Sequence, residues 1–163
     1  MQEEHPADQT LPVGLIGLGS MGSFVAREIM KGEIPGIRLL AAADIRPPSP
    51  GLLQELRQHS VSFVQSFEGL GDFPIRLVIE CANQKVVAES ADFFLAKGMD
   101  LLVMSVGALV QGSLFSRLTC RAQEKGCRIY LPSGAIGAID ALQAAKLRGL
   151  DEVTLTTRKP PQS

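Results

Sequence analysis

Gly17-Leu18-Gly19-Ser20-Met21-Gly22 is the stretch on which the fold of this chain turns, a G-x-G-x-x-G spacing. Such a match means little in isolation and much in context. Directly before it lies an apolar run, Pro12 to Gly17, that reads as a strand. Directly after it, Ser20 to Lys31 reads as a helix with Val25, Ala26, Ile29 and Met30 on one face. Each glycine meets a physical demand. Gly17 permits the tight turn out of the strand, Gly19 lets the backbone approach an anion closely, and Gly22 lets the helix pack against the strand. The helix start at Ser20 offers free N–H groups and a partial positive charge. The ligand implied is the pyrophosphate of a dinucleotide.

Beyond the helix, Gly32 and Pro35-Gly36 turn the chain, and Ile37 to Ala43 reads as a second strand, apolar almost throughout. Asp44 ends it, 22 residues past Gly22. An acidic residue about 20 residues on is what the ribose of adenosine requires. Arg46 follows and offers a partner for a 2′-phosphate, so both NAD and NADP remain open.

The alternation continues. A helix is expected from Pro50 to about Gln58, a short strand over Val61 to Val64 and a helical turn over Phe67 to Leu70. Further strands are expected over Arg76 to Cys81, Asp100 to Ser105 and Cys127 to Leu131, with helices over Gln84 to Lys97 and Ser113 to Lys125. A last helix, Ile139 to Arg148, and a last strand, Glu152 to Thr157, complete the pattern. Strands alternating with helices are the signature of βαβ units. The fold class expected is α/β, a doubly wound parallel sheet of Rossmann type that binds NAD(P). Residues 1–10 read as a disordered polar tail and 11–134 as the Rossmann domain. Residues 135–163 read as the incomplete start of a second, α+β domain.

Open α/β sheets bind ligands beyond the carboxyl ends of their strands. The later strand ends are Glu80-Cys81-Ala82-Asn83-Gln84, Ser105-Val106-Gly107-Ala108-Leu109 and Pro132-Ser133-Gly134-Ala135-Ile136-Gly137, all rich in small residues. Such loops admit a flat nicotinamide ring.

Composition excludes other classes. The formal net charge is −1 with no long basic block, so there is no footprint for nucleic acid. The polar start lacks the pattern of a signal peptide. Leu101 to Val110 is too short and too interrupted to span a membrane. Cys81, Cys120 and Cys127 form no metal or disulfide pattern and read as small buried hydrophobes, so no metal is expected. A soluble, cytoplasmic protein is expected.

Three stretches carry a resemblance: Met104-Ser105-Val106-Gly107-Ala108-Leu109, Leu131-Pro132-Ser133-Gly134-Ala135-Ile136-Gly137 with Asp140-Ala141-Leu142, and Thr156-Thr157-Arg158-Lys159-Pro160-Pro161. Through them the chain resembles the L-aspartate dehydrogenase family from about Val13 to Pro161. The resemblance implies oxidation of L-aspartate to iminoaspartate with NAD or NADP, yielding oxaloacetate and ammonia or feeding NAD biosynthesis. It implies that Gly17, Gly19, Met21 and Gly22 hold the pyrophosphate, that Asp44 holds the ribose, and that Cys81, Ala82 and Ala108 lie along the nicotinamide half. Ser133 to Gly137 would lead into the substrate domain. The candidate cofactor-binding residues are therefore Gly17, Gly19, Ser20, Met21, Gly22, Asp44, Arg46, Cys81, Ala82, Ser105, Gly107, Ala108 and Ser133.

The chain departs from the family at Ala138, where a glycine is usual. No catalytic residue is assigned. His5 lies in the polar tail and His59 at the end of a surface helix. The resemblance places the catalytic histidine beyond residue 163, so the isolated chain is expected to bind the cofactor without turning over aspartate. The full-length protein is expected to be a homo-oligomer. Two other functions fit the residues: another amino-acid or oxo-acid dehydrogenase of the same fold, or a non-catalytic dinucleotide-binding module.

Overall fold

The computed structural model describes residues 10–110, 112–133, 146, 149, 151–154 and 156. The chain divides into two compact units, Met1–Pro132 and Ser133–Ser163. The strands are β1 (Leu11–Ile16), β2 (Ile37–Ala43), β3 (Ser62–Val64), β4 (Leu77–Glu80), β5 (Asp100–Val103) and β6 (Ile129–Tyr130). The helices are α1 (Ser20–Met30), α2 (Pro50–Gln58), α3 (Gln84–Ala96) and α4 (Leu114–Lys125). The strands form one sheet in the order β3-β2-β1-β4-β5-β6, and every pairing is parallel. This is the expected doubly wound sheet. Its order reverses at β1, between β2 and β4, which opens a crevice at the carboxyl edge.

Both faces of the sheet are covered. Val13, Leu15, Leu39, Ala42 and Ile79 pack with Ala26 and Ile29 of α1 and Leu52 and Leu56 of α2. Ile16, Ala41, Ala43, Val78, Leu101 and Val103 pack with Phe94 and Leu95 of α3 and Leu118 and Ala122 of α4. Burial on both sides explains why the strands read as apolar runs rather than as an alternation. Phe67, Phe93 and Phe94 meet edge to face, with ring centroids 5.2–6.0 Å apart. Two helix starts have a local cause. Ser49 accepts the Leu52 N–H at 3.3 Å ahead of α2, and Asn83 accepts the Val86 N–H at 3.1 Å ahead of α3.

Some boundaries differ from the sequence expectation. β6 shortens to Ile129–Tyr130, because only Leu101 and Leu102 of β5 pair with it. The turn expected at Phe67 to Leu70 is a 3₁₀ helix over Glu68–Asp72. A second 3₁₀ helix, Val106–Val110, stands where a plain loop was read. The strand expected over Glu152 to Thr157 is absent at 152–154 and 156. A strand exists only through a hydrogen-bonded neighbour, and no described residue pairs with these. The helix expected over Ile139 to Arg148 lies outside the described residues, save for Lys146, which is helical. Among the described residues no helix is long and apolar enough to cross a membrane.

Candidate cofactor site

The chain leaves β1 through Gly17, whose φ of +89° is open to glycine and strained for other residues. Neighbouring strand ends tie the turn down. Gly17 donates its N–H to the Ala43 carbonyl and Cys81 donates to the Ile16 carbonyl, both at 2.8 Å. A Cβ on Gly17 would lie 2.8 Å from the backbone of Cys81 and Ala82. One on Gly22 would run into the Gly17 carbonyl oxygen. These contacts show why the first and third glycines stand where they do. Gly19 differs: nothing lies within 4 Å of where its Cβ would be, so the backbone there is bare toward open space. Gly19 is also the N-cap of α1 and provides no side-chain cap. The first-turn amides, at Ser20 and Met21, therefore remain for an external acceptor. Met21 is exposed and Ser20 lies beside it at the surface.

Asp44 sits half-buried just after β2. Its Oδ2 accepts the Leu18 N–H at 2.7 Å and its Oδ1 accepts the Arg46 N–H at 2.9 Å. The first bond crosses from β2 to the glycine turn, so the carboxylate and the phosphate turn form one unit. Each carboxylate oxygen accepts more than one hydrogen bond, so capacity remains for a diol. A cavity of about 190 Å³ adjoins it. Ile45, Arg46 and Phe67 line one part, with Gln65 and Ser66; Ala82, Asn83 and Val86 line another. A flat heterocycle suits this mixed apolar and polar slot. Of the candidates read from the sequence, Gly17, Gly19, Asp44, Arg46, Cys81 and Ala82 line it; Asn83 enters only as part of the strand-end loop, and Ile45, Gln65, Ser66, Phe67 and Val86 were missed. The strand-end rule applied to β3 as well as to the later strands points to residues 65–67.

On the other side of the crevice stand the ends of β4 and β5. Ser105 is half-buried, Ala108 is buried in the 3₁₀ helix, and Gly107 is exposed with the Gln84 side chain across it. A Cβ on Gly107 would come within 2.5 Å of the Gln84 amide nitrogen. Cys81 lies against the phosphate turn, and its Cβ would be 3.3 Å from a Cβ on Gly22. Burial, with help from the negative charge of Glu80, pushes the Cys81 thiol up to about 11. That thiol is neutral at ordinary pH and serves as packing, not as a nucleophile. Glu80, at the end of β4, heads the strand-end loop quoted from the sequence but receives no role there. Its signal was present: an acidic residue closing the apolar run Leu77-Val78-Ile79. Ser133 is exposed and belongs to the second unit.

Among the described residues no group of His, Cys, Asp and Glu could hold a metal ion. His59 is exposed at the C-cap of α2. A dinucleotide fits the remaining features. The bare backbone at Gly19, the uncapped α1 and the Asp44 carboxylate lie in the order in which pyrophosphate and adenosine ribose need them.

Comparison with known proteins agrees. Residues 17–132 match a family model described as "Homoserine dehydrogenase, NAD binding domain". A curated L-aspartate dehydrogenase of Methanocaldococcus jannaschii is 37% identical over 150 residues, covering 92% of this chain and 55% of that protein. The crystal structure of aspartate dehydrogenase from Thermotoga maritima superposes with a TM-score of 0.60 at 25% identity, covering 83% of this chain and 51% of that one. The myo-inositol 2-dehydrogenase of Lactobacillus plantarum, at 17% identity and a TM-score of 0.65, shares the fold. The chain spans about half the length of the curated relatives it matches. The resemblance to L-aspartate dehydrogenases read from the loops is borne out by these relatives.

Proposed function

This chain belongs to the family of NAD-binding domains described for homoserine dehydrogenase, and we propose that within it the chain is the cofactor-binding part of an L-aspartate dehydrogenase. The observation that carries the cofactor half is the hydrogen bond from Leu18 N–H to Asp44 at 2.7 Å, which joins the ribose acceptor to the phosphate turn. The substrate half is supported by the name shared by the relatives. The donor is L-aspartate, a CH–NH₂ group is oxidised, and the product feeds NAD biosynthesis.

In this reading Gly17, Gly19, Ser20, Met21 and Gly22 bind the pyrophosphate through backbone amides. Asp44 accepts from the ribose hydroxyls, and Arg46 flanks it. Cys81, Ala82, Ser105, Gly107 and Ala108 shape the nicotinamide side, and Ser133 begins the approach to the substrate. When bound, the nicotinamide supplies the hydride acceptor. The chain's own contribution is to orient it and to exclude water from one face. Asp44 favours NAD, since its charge opposes a 2′-phosphate, while Arg46 keeps NADP admissible. His59 is exposed at the C-cap of α2 and is not assigned as the base that takes the ammonium proton; that base is expected outside the described residues. The chain therefore binds cofactor without turning over aspartate. The whole protein works in the cytoplasm as a homo-oligomer.

Titration calorimetry with NADH tests this. Binding is expected, and Asp44→Ala is expected to weaken it by about tenfold or more, the loss of a charged hydrogen-bond acceptor. No binding by the wild-type chain would overturn the cofactor reading. Aspartate-dependent formation of NADH by the chain alone would overturn the assignment of the base elsewhere.

A further inference from the structure

Glu80 closes β4 and is 1% exposed. Its Oε1 accepts the Ala82 N–H at 2.8 Å and the Ser105 hydroxyl at 2.9 Å. Its Oε2 accepts the Ser105 N–H at 2.9 Å. All these partners donate, which is the pattern an ionised carboxylate satisfies. Among the described residues no lysine or arginine forms an ion pair with it. A buried carboxylate without a counter-charge is costly, even when hydrogen-bonded. Bracing two strand ends does not by itself require that charge.

The position of the residue suggests what balances it. Asp44, the ribose acceptor, follows β2. The phosphate turn follows β1. A dinucleotide laid across the crevice therefore extends its second nucleotide over the ends of β4 and β5. Glu80 joins those two ends. It holds Ala82 after β4 and Ser105 after β5.

We propose that Glu80 supplies a fixed negative charge on the nicotinamide side of the site, which favours the cationic oxidised ring over the neutral reduced ring. This rests on the NAD-binding reading above and adds to it a preference between the two redox forms. The missing counter-charge arrives with NAD⁺ and is absent from NADH. A buried unit charge acting on a cation held in the same poorly solvated site changes affinity by about tenfold.

The test measures Kd for NAD⁺ and for NADH on the wild-type chain, Glu80→Gln and Ser105→Ala. Glu80→Gln keeps the shape and removes the charge. Ser105→Ala keeps the charge and removes one donor. The ratio of Kd for NAD⁺ to Kd for NADH should rise about tenfold in Glu80→Gln and stay level in Ser105→Ala. An equal loss of both forms in Glu80→Gln, or the same change of ratio in both variants, would overturn the proposal and leave Glu80 a brace. Should Glu80→Gln not fold, the wild-type ratio decides. NAD⁺ bound at least as tightly as NADH supports the proposal, and NADH bound more tightly overturns it. A wild-type chain that binds neither form removes the NAD reading itself, and this proposal with it. That outcome is distinct from two measurable affinities in an unchanged ratio.

Discussion

Asp44 holds the Leu18 and Arg46 amides while keeping capacity for a ligand, so one side chain both builds the site and faces it. Cys81 shows the opposite division. It packs against the glycine turn, and its thiol, raised from 9.0 to about 11 by burial and then by Glu80, carries no chemistry at neutral pH. Alkylation by iodoacetamide reports this. Labelling of Cys81, followed by peptide mass spectrometry, should rise about tenfold per pH unit and level off only near pH 11, because the thiolate is the reacting form. A plateau at or below pH 9 would contradict the burial. The sign extends to stability. The neutral thiol is favoured in the folded state, so its contribution is complete below 9.0 and is lost as pH rises towards about 11. Residue identity made Gly17 and Asp44 legible from spacing alone. It left Glu80 unread, because the sequence does not say which two loops a strand-end carboxylate will join.

At the scale of elements, two helices owe their starts to a local signal. Ser49 and Pro50 open α2, and Asn83 opens α3. Ser49 lies outside the cofactor cleft, so its cap can be removed without touching the site. Ser49→Ala should cost about 1 kcal/mol in urea unfolding and leave the affinity for NADH unchanged. A change in affinity would mean that α2 is coupled to Asp44 through the Pro47-Pro48 loop. The elements themselves were legible because 3.6-residue periodicity and short apolar runs are local properties. Val106–Val110 was not, since a five-residue 3₁₀ helix is too short for its three-residue period to show, and it packs Ala108 into the core. The three-residue β3 and two-residue β6 were over-read, because strand length is set by the neighbour.

At the scale of the molecule, the sheet separates two cores. Leu56 of α2 lies in one and Leu118 of α4 in the other, both fully buried. Leu56→Ala and Leu118→Ala should each cost about 2–5 kcal/mol. With the sheet between them, the double variant should equal the sum within about 0.5 kcal/mol. A large coupling, read by denaturant unfolding, would show that the sheet transmits strain between its faces.

The sequence by itself determined the class of fold, the glycine turn, an acidic residue at the end of the second strand and the resemblance to L-aspartate dehydrogenases. Each of these rests on residues close together in the chain, or on a spacing that a single βαβ unit dictates. Only the tertiary structure decided what meets at the crevice. Gln65, Ser66 and Phe67 come beside Asp44 because β3 pairs with β2. Glu80 reaches Ser105, 25 residues on, because β5 pairs with β4. Strand pairing brings distant loops together at one edge, and no local pattern in the chain records which loops those will be.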